Sequence, residues 1–185
     1  MIHIYAYSLL AVFAGVIAPT CVEAQESAQP ALAHTHEEFS VIVKAPYDKA
    51  FPLFGAYEER KWAKGFDPHF IHPSPPRDQQ GMVFTWELSG APSVWTNTAF
   101  DLATGHVQYV YFVQDTMVTL IDIRLTKAGA AETRVDVVYE RTALRPEANE
   151  QVTQHAQADR NRGSEWDAMI NGYLAEVIAS PATSK

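Results

Sequence analysis

One cysteine, Cys21, is all the thiol the 185-residue chain possesses, and it lies inside an apolar run near the N-terminus. A single thiol makes no internal disulfide, so the fold must rest on its core and not on covalent bridges. Basic residues are also scarce: 14 Lys and Arg stand against 22 Asp and Glu, for a net charge of -8. The sequence shows no basic patch to offset that excess. Arg160 and Arg162 are the closest basic neighbours in the C-terminal half, and they share their segment with Asp159 and Glu165. Such a balance repels phosphates and anionic surfaces, which excludes nucleic acid as a partner. A glycine-rich phosphate loop, a G-x-S-x-G elbow and an H-E-x-x-H zinc motif are likewise missing, so no cofactor or metal is expected from a signature motif.

What is present suits one globular domain with a substantial core, at 47% hydrophobic and 19% charged residues. The apolar run of residues 1–24 ends in Val22-Glu23-Ala24, small residues of the kind a signal peptidase accepts. It reads as a signal peptide, giving a periplasmic or secreted protein with no stable membrane insertion after cleavage. No Lys or Arg precedes the run, which leaves a retained anchor as the alternative. Thr20 before Cys21 argues against lipidation of that cysteine. Cleavage after Ala24 would remove Cys21, and with it cysteine-based catalysis or metal ligation. Residues 25–35, small and polar with Pro30 among them, read as a disordered leader. The folded domain is then expected over residues 36–179, with a tail at residues 180–185.

Alternation of apolar Phe39, Val41, Val43 and Ala45 with Ser40 and Lys44 predicts a strand half-buried on one face, ended by Pro46. Two short helices are expected over residues 48–54 and 57–64, with Gly55 between them and Gly65 beyond. From Gly81 onward the chain reads as strands, MVFTWEL, SVWTNTAFDL, VQYVYFV, TMVTLIDIRLT and ETRVDVVYERT, divided by short turns at residues 90–92, 103–105, 114–115 and 128–130. A weaker strand over residues 69–72 brings the antiparallel sheet to about seven strands. A helix from Pro146 to about Ala179 closes the chain. Its second half carries Trp166, Met169, Ile170, Tyr173, Leu174, Val177 and Ile178 at spacings of three and four. Its first half, residues 147–163, has little besides Val152 and alanines that is apolar, and is expected to pack less deeply.

This order of elements resembles the START-like, or SRPBCC, superfamily, which includes birch-pollen-allergen-like and polyketide cyclase/dehydrase-type proteins. The residues carrying the resemblance are VKAPYDKAFPLF (43–54), EERKWAKGFDP (58–68), GMVFTW (81–86), VYERTAL (138–144) and the terminal helix around Trp166. The resemblance implies an α+β helix-grip fold, in which a curved antiparallel sheet wraps a long C-terminal helix and the gap between them is a cavity open at one end.

That expectation frames the stretch KWAKGFDPHFIHPSPP, residues 61–76, where Trp62, Phe66 and Phe70 sit among prolines. They are either an aromatic plug over an ordinary core or the rim of the cavity. Inward alternation on the strands places Trp95, Tyr109, Tyr111 and Tyr139 on one face, each bringing a polar tip that needs a partner when buried. With Phe84, Trp86 and Trp166 added, the expected lining is Trp62, Phe66, Phe84, Trp86, Trp95, Tyr109, Tyr111, Tyr139 and Trp166. Such a lining suits a hydrophobic or amphipathic small molecule, lipid-, polyketide- or aromatic-like. An exported binding protein is the leading reading. A cyclase or dehydratase without metal is the alternative, with Tyr109, Tyr139 and His155 as proton-transfer candidates. A chaperone-activating interaction module, the third, is disfavoured by the signal peptide. His34 and His36, with His69 and His72, form two pairs that read as solvated side chains and not as a metal site. Asp122 and Arg124 are out of phase with Ile121 and Ile123 and are expected on the outer face.

Overall fold

The computed structural model describes residues 30–88 and 90–179. The expected signal peptide, most of the leader and the tail lie outside the described residues. Seven strands follow the alternating segments: β1 (His34–Val43), β2 (His69–His72), β3 (Val83–Leu88), β4 (Ala91–Asp101), β5 (His106–Val113), β6 (Met117–Lys127) and β7 (Thr133–Ala143). They form one antiparallel sheet in the order β1-β7-β6-β5-β4-β3-β2. The run from β2 to β7 is a meander of neighbours, so β1 is the one strand that pairs far from its place in the chain. Its partner is β7, from His34 opposite Thr142 to Val43 opposite Thr133.

Two boundaries differ from expectation. β1 begins at His34, not after the leader, because β7 extends far enough to offer His34 and Thr35 the backbones of Thr142 and Arg141. Ala91 and Pro92 belong to β4 and not to the turn before it. Pro92 is tolerated there because it lies beyond the last β4–β5 pair, Ser93 with Val113.

The helices after β1 are shorter than the sequence suggests. α1 (Tyr47–Ala50) runs into a 3-10 turn at Phe51–Phe54, where Pro52 lacks an N–H, and α2 (Ala56–Glu59) makes a single turn before irregular chain leads to Gly65. α2 is nevertheless firmly held. Asp78 accepts hydrogen bonds from the Tyr57 and Glu58 amides at 2.7 and 3.1 Å, capping the helix from outside its own segment. Gly55 makes room for that carboxyl, since any Cβ at this position would overlap the Asp78 side chain.

The last element is α3 (Asn149–Ala179), preceded by a 3-10 turn at Pro146–Ala148 and laid across β1 and β7. Its packing overturns the expected division into a shallow first half and a deep second half. Val152, Ala156, Asp159, Trp166 and Ile170 are all buried, in a stripe that runs nearly the whole helix. Gly163 completes the stripe, where a Cβ would stand 3.3 Å from the Phe39 ring. Val177 and Ile178, by contrast, are 51% and 75% exposed because the helix outruns the sheet. The phase of the buried positions along the helix, and not the number of apolar residues in each half, sets the depth of packing.

Val152→Ala is therefore expected to cost about 2 kcal/mol, the scale for losing two buried methylenes plus the space they leave. Ile178→Ala is expected to stay within about 0.5 kcal/mol of the parent, as exposed sites do. Urea denaturation of the two variants checks this, and equal losses would contradict the packing described.

Candidate functional site

Between the concave face of the sheet, α2 with the loop after it, and α3 lies a cavity of about 440 Å³. All nine residues expected to line it do so: Trp62, Phe66, Phe84, Trp86, Trp95, Tyr109, Tyr111, Tyr139 and Trp166. Lys64 and Ala158 are the exposed members of the wall and mark the mouth, with half-buried members such as Phe66, Leu88 and Met169 behind them.

In the aromatic part of the wall the polar atoms of Trp62, Trp95 and Tyr109 are bonded to protein. Trp62 donates its indole N–H to the Leu53 carbonyl at 2.7 Å, and Trp95 donates to Ser93 Oγ at 2.8 Å, which in turn donates to the Trp86 carbonyl. Tyr109 donates to the Phe54 carbonyl and accepts from the Ala56 amide, tying β5 to the short helices. Trp95 stacks on Tyr111 at a centroid distance of 4.0 Å and on Phe84 at 5.5 Å. Phe66 meets Trp86 edge-on at 5.1 Å. Trp166 packs against both Trp62 and Phe39 at 5.4 Å.

Two expectations for residues 61–76 need correction. Trp62 is a wall and not a rim: it is buried against Phe54 and Trp166 and still lines the cavity. Phe70 does not reach the lining, because it is held outside against Tyr57 and Phe84. Phe66, half-buried between the exposed Lys64 and the equally half-buried Trp86, stands toward the mouth.

The other part of the wall is polar, and sequence reasoning largely missed it. Arg141 grips Asp159 of α3 with both arms, Nε to Oδ2 at 2.7 Å and Nη2 to Oδ1 at 3.0 Å. Its remaining nitrogen donates to the Tyr111 hydroxyl and to Thr119 Oγ1. Both partners of the ion pair are almost wholly buried. Arg162 places Nε 3.2 Å from the same carboxylate without making a hydrogen bond. The charges of residues 159–165 thus do not all belong to a solvated surface. The alternation that turns Tyr139 inward also turns Arg141 inward, two residues on. The α3 stripe, followed through, would likewise have found Asp159.

Glu59, the last residue of α2, supplies a second carboxyl. Part of its surface is accessible from the cavity, yet protein surrounds it, and burial pushes its pKa up to about 8, with repulsion from Asp78 adding and Arg162 opposing. Burial, reinforced by Arg141 and Arg162 and opposed by Asp159, holds the His155 imidazole below its ordinary pKa. Burial likewise pushes the Tyr139 hydroxyl up. At neutral pH the cavity therefore carries a protonated carboxyl, a neutral imidazole and a phenol.

The remaining candidates lie elsewhere. His34 and His36 stand on β1 beside Thr142 and Glu140, while His69 and His72 stand on β2, the opposite edge of the sheet. The two pairs do not meet. Asp122 is on the outer face as expected, bonded to His106, Gln108 and Arg124.

The sequence matches no protein-family model and no curated protein. Solved structures resemble it at low identity. A norcoclaurine synthase point mutant from Thalictrum flavum, in complex with a transition-state analogue, is 12% identical, with 80% of this chain and 99% of that one covered at a TM-score of 0.60. The Zhui aromatase/cyclase from Streptomyces sp. R1128 is 16% identical over 82% of this chain and 98% of that one, with a TM-score of 0.54. Ara h 8.0201 is 14% identical over 78% and 99%, with a TM-score of 0.53. The fold is the helix-grip fold of the SRPBCC and birch-pollen-allergen-like proteins.

Glu59 also generates a test of the site's electrostatics. A carboxyl whose pKa is higher folded than unfolded adds stability that is complete below its unfolded value and lost as pH rises through its folded value. Glu59→Gln is expected to gain stability relative to the parent between about pH 5 and about pH 9. Urea midpoints across that range check it, and a constant difference would contradict the placement of Glu59.

Proposed function

We propose that this protein binds an amphipathic small molecule, with an aromatic or apolar body and a few polar atoms, in the cavity between sheet and α3. The observation that carries the reading is the division of one wall into two chemistries. Phe66, Trp86 and Trp95 form one contiguous aromatic group of the lining, and Arg141, Arg162 and Tyr139 form a polar one to which Glu59 is electrostatically coupled. The volume, about 440 Å³, lies within the usual range for small-molecule sites. The fold's precedents agree in kind: a norcoclaurine synthase structure from Thalictrum flavum, 11% identical, is a complex with dopamine and hydroxybenzaldehyde.

A second reading has its own observation. Glu59 is a carboxyl held protonated at neutral pH on the cavity wall, with the Tyr139 hydroxyl and the His155 imidazole on the same wall. That set supplies the proton donor and acceptor that a cyclase or dehydratase-type reaction requires, and it needs no metal. Tyr109 is a weaker candidate than sequence suggested, since its hydroxyl is occupied by the Phe54 and Ala56 backbone. Binding remains the primary function, and acid–base chemistry would act on the bound molecule.

Phe66 separates a ligand site from a merely imperfect core. Phe66→Ala is expected to lose about 1 kcal/mol of stability, as partly exposed sites do. It is also expected to release an environment-sensitive apolar dye severalfold faster than the parent. A loss of about 3–5 kcal/mol, the range for a fully buried phenylalanine, in a parent that binds no dye would remove the binding function.

Export is part of the proposal, resting on residues 1–24 alone. N-terminal sequencing of protein recovered from outside the cytoplasm is expected to begin at Gln25. An intact Met1 in a membrane fraction would mean a retained anchor.

A further inference from the structure

The polar side of the cavity has an imbalance of charge. Two guanidinium groups, Arg141 and Arg162, border it, and one carboxylate, Asp159, serves both. Arg141 is fully engaged, with its donors divided among Asp159, Tyr111 and Thr119. Arg162 is not: among the described residues its side chain donates no hydrogen bond, and its Nε, though 3.2 Å from Asp159, is buried without one, while the side chain as a whole is 33% exposed. A guanidinium carries five N–H donors in a planar fork, and with Nε alone buried the other four are open to a ligand.

Nothing else on the wall balances Arg162. Glu59 makes no ion pair among the described residues, and its burial keeps it protonated at neutral pH. Lys64 at the mouth adds a further cation. In a chain of net charge -8, this interior is locally positive.

Resting on the binding function above, we propose that the ligand is a carboxylate, an aromatic or apolar body bearing one anionic group, and that Arg162 receives that group at the polar side of the cavity. Two of its donors match the two oxygens of a carboxylate, while the body lies against the Trp86 and Trp95 rings. Arg141, locked to Asp159, acts as a positioning residue that keeps α3, and so Arg162, at a fixed distance from the sheet.

The arrangement also makes binding depend on pH. The groups facing Glu59 are Asp78, Tyr109, Tyr139 and Arg162, with Arg141 and His155 on the same wall. Once Glu59 ionises, it draws on the charge of Arg162 and repels an incoming anion. Affinity for the carboxylate is expected to fall as pH rises through about 8, whereas a neutral analogue of the same shape should respond little.

The test is isothermal titration calorimetry of the full folded chain with three probes sharing one body: naphthylacetate, naphthylacetamide and naphthylethylammonium. Naphthylacetate is expected to bind about tenfold or more tightly than the amide at neutral pH, the scale of one charge-assisted hydrogen bond, and the ammonium most weakly. Arg162→Gln should bring the ratio of acetate to amide affinity close to one, and Arg162→Lys should keep part of it. If Arg162→Gln does not fold, the parent's ratio and its decline above about pH 8 decide alone. Equal binding of all three probes would overturn the anionic ligand and leave the binding function standing. Arg162→Gln weakening acetate and amide alike would overturn the role of Arg162. Binding of none of the probes would overturn both.

Discussion

The grip of Arg141 on Asp159 is the constraint to which the rest of the cavity answers. A buried guanidinium and a buried carboxylate are tolerable only in contact, because removing either leaves an uncompensated charge at a cost of about 3–5 kcal/mol. The pair therefore fixes where α3 can lie over β7. The helix is pressed close at Gly163 against Phe39 and at Trp166 against the aromatic cluster of Trp62 and Phe54. Between these contacts and the far side of the curved sheet, the distance is held jointly by the ion pair and by these apolar contacts. A core free to collapse onto β4 and β5 would close the space, and a helix pinned to β7 and β1 does not.

The same pair explains why the two sides of the cavity differ. Thr119 and Tyr111 complete the donor set of Arg141, so β5 and β6 turn polar groups inward just where the ion pair needs them. Farther along the sheet the demand disappears, and Phe84, Trp86 and Trp95 take over. Tyr111 is the hinge between the regimes. Its hydroxyl serves Arg141 while its ring stacks on Trp95 at 4.0 Å. Indole nitrogens bonded to Leu53 and Ser93 take the donors of Trp62 and Trp95 out of competition for a ligand. An amphipathic molecule placed in this space meets its complement on both sides.

Much of this was legible in the sequence, and the failures have specific physical causes. Strands show through because alternation holds through β5, β6 and β7 and through β4 as far as Asn97, where the register shifts, and the strand aromatics could be assigned to the concave face from that alternation alone. Arg141 obeyed the same phase, but a charge in an inward position reads as noise until a partner is known, and its partner lies on another element, 18 residues away. Asp159 was hidden by composition: polar neighbours at 157, 160 and 161 drew attention to the exposed side of α3 while the buried stripe ran beneath them. Glu59 left no local trace, because its titration is set by what folds around it. α2 was overestimated because its chain leaves the helix after Glu59 for irregular turns leading to Gly65, and the cap that holds its first turn, Asp78, comes from about twenty residues downstream.

The central claim is that the space between sheet and α3 is a place for a molecule other than protein. Native mass spectrometry of the protein taken from its own source, under conditions that keep the fold, tests it most directly. The account predicts a polypeptide mass raised by one small organic molecule, released when the protein is denatured and detected as an anion. The bare polypeptide mass in every charge state would contradict it.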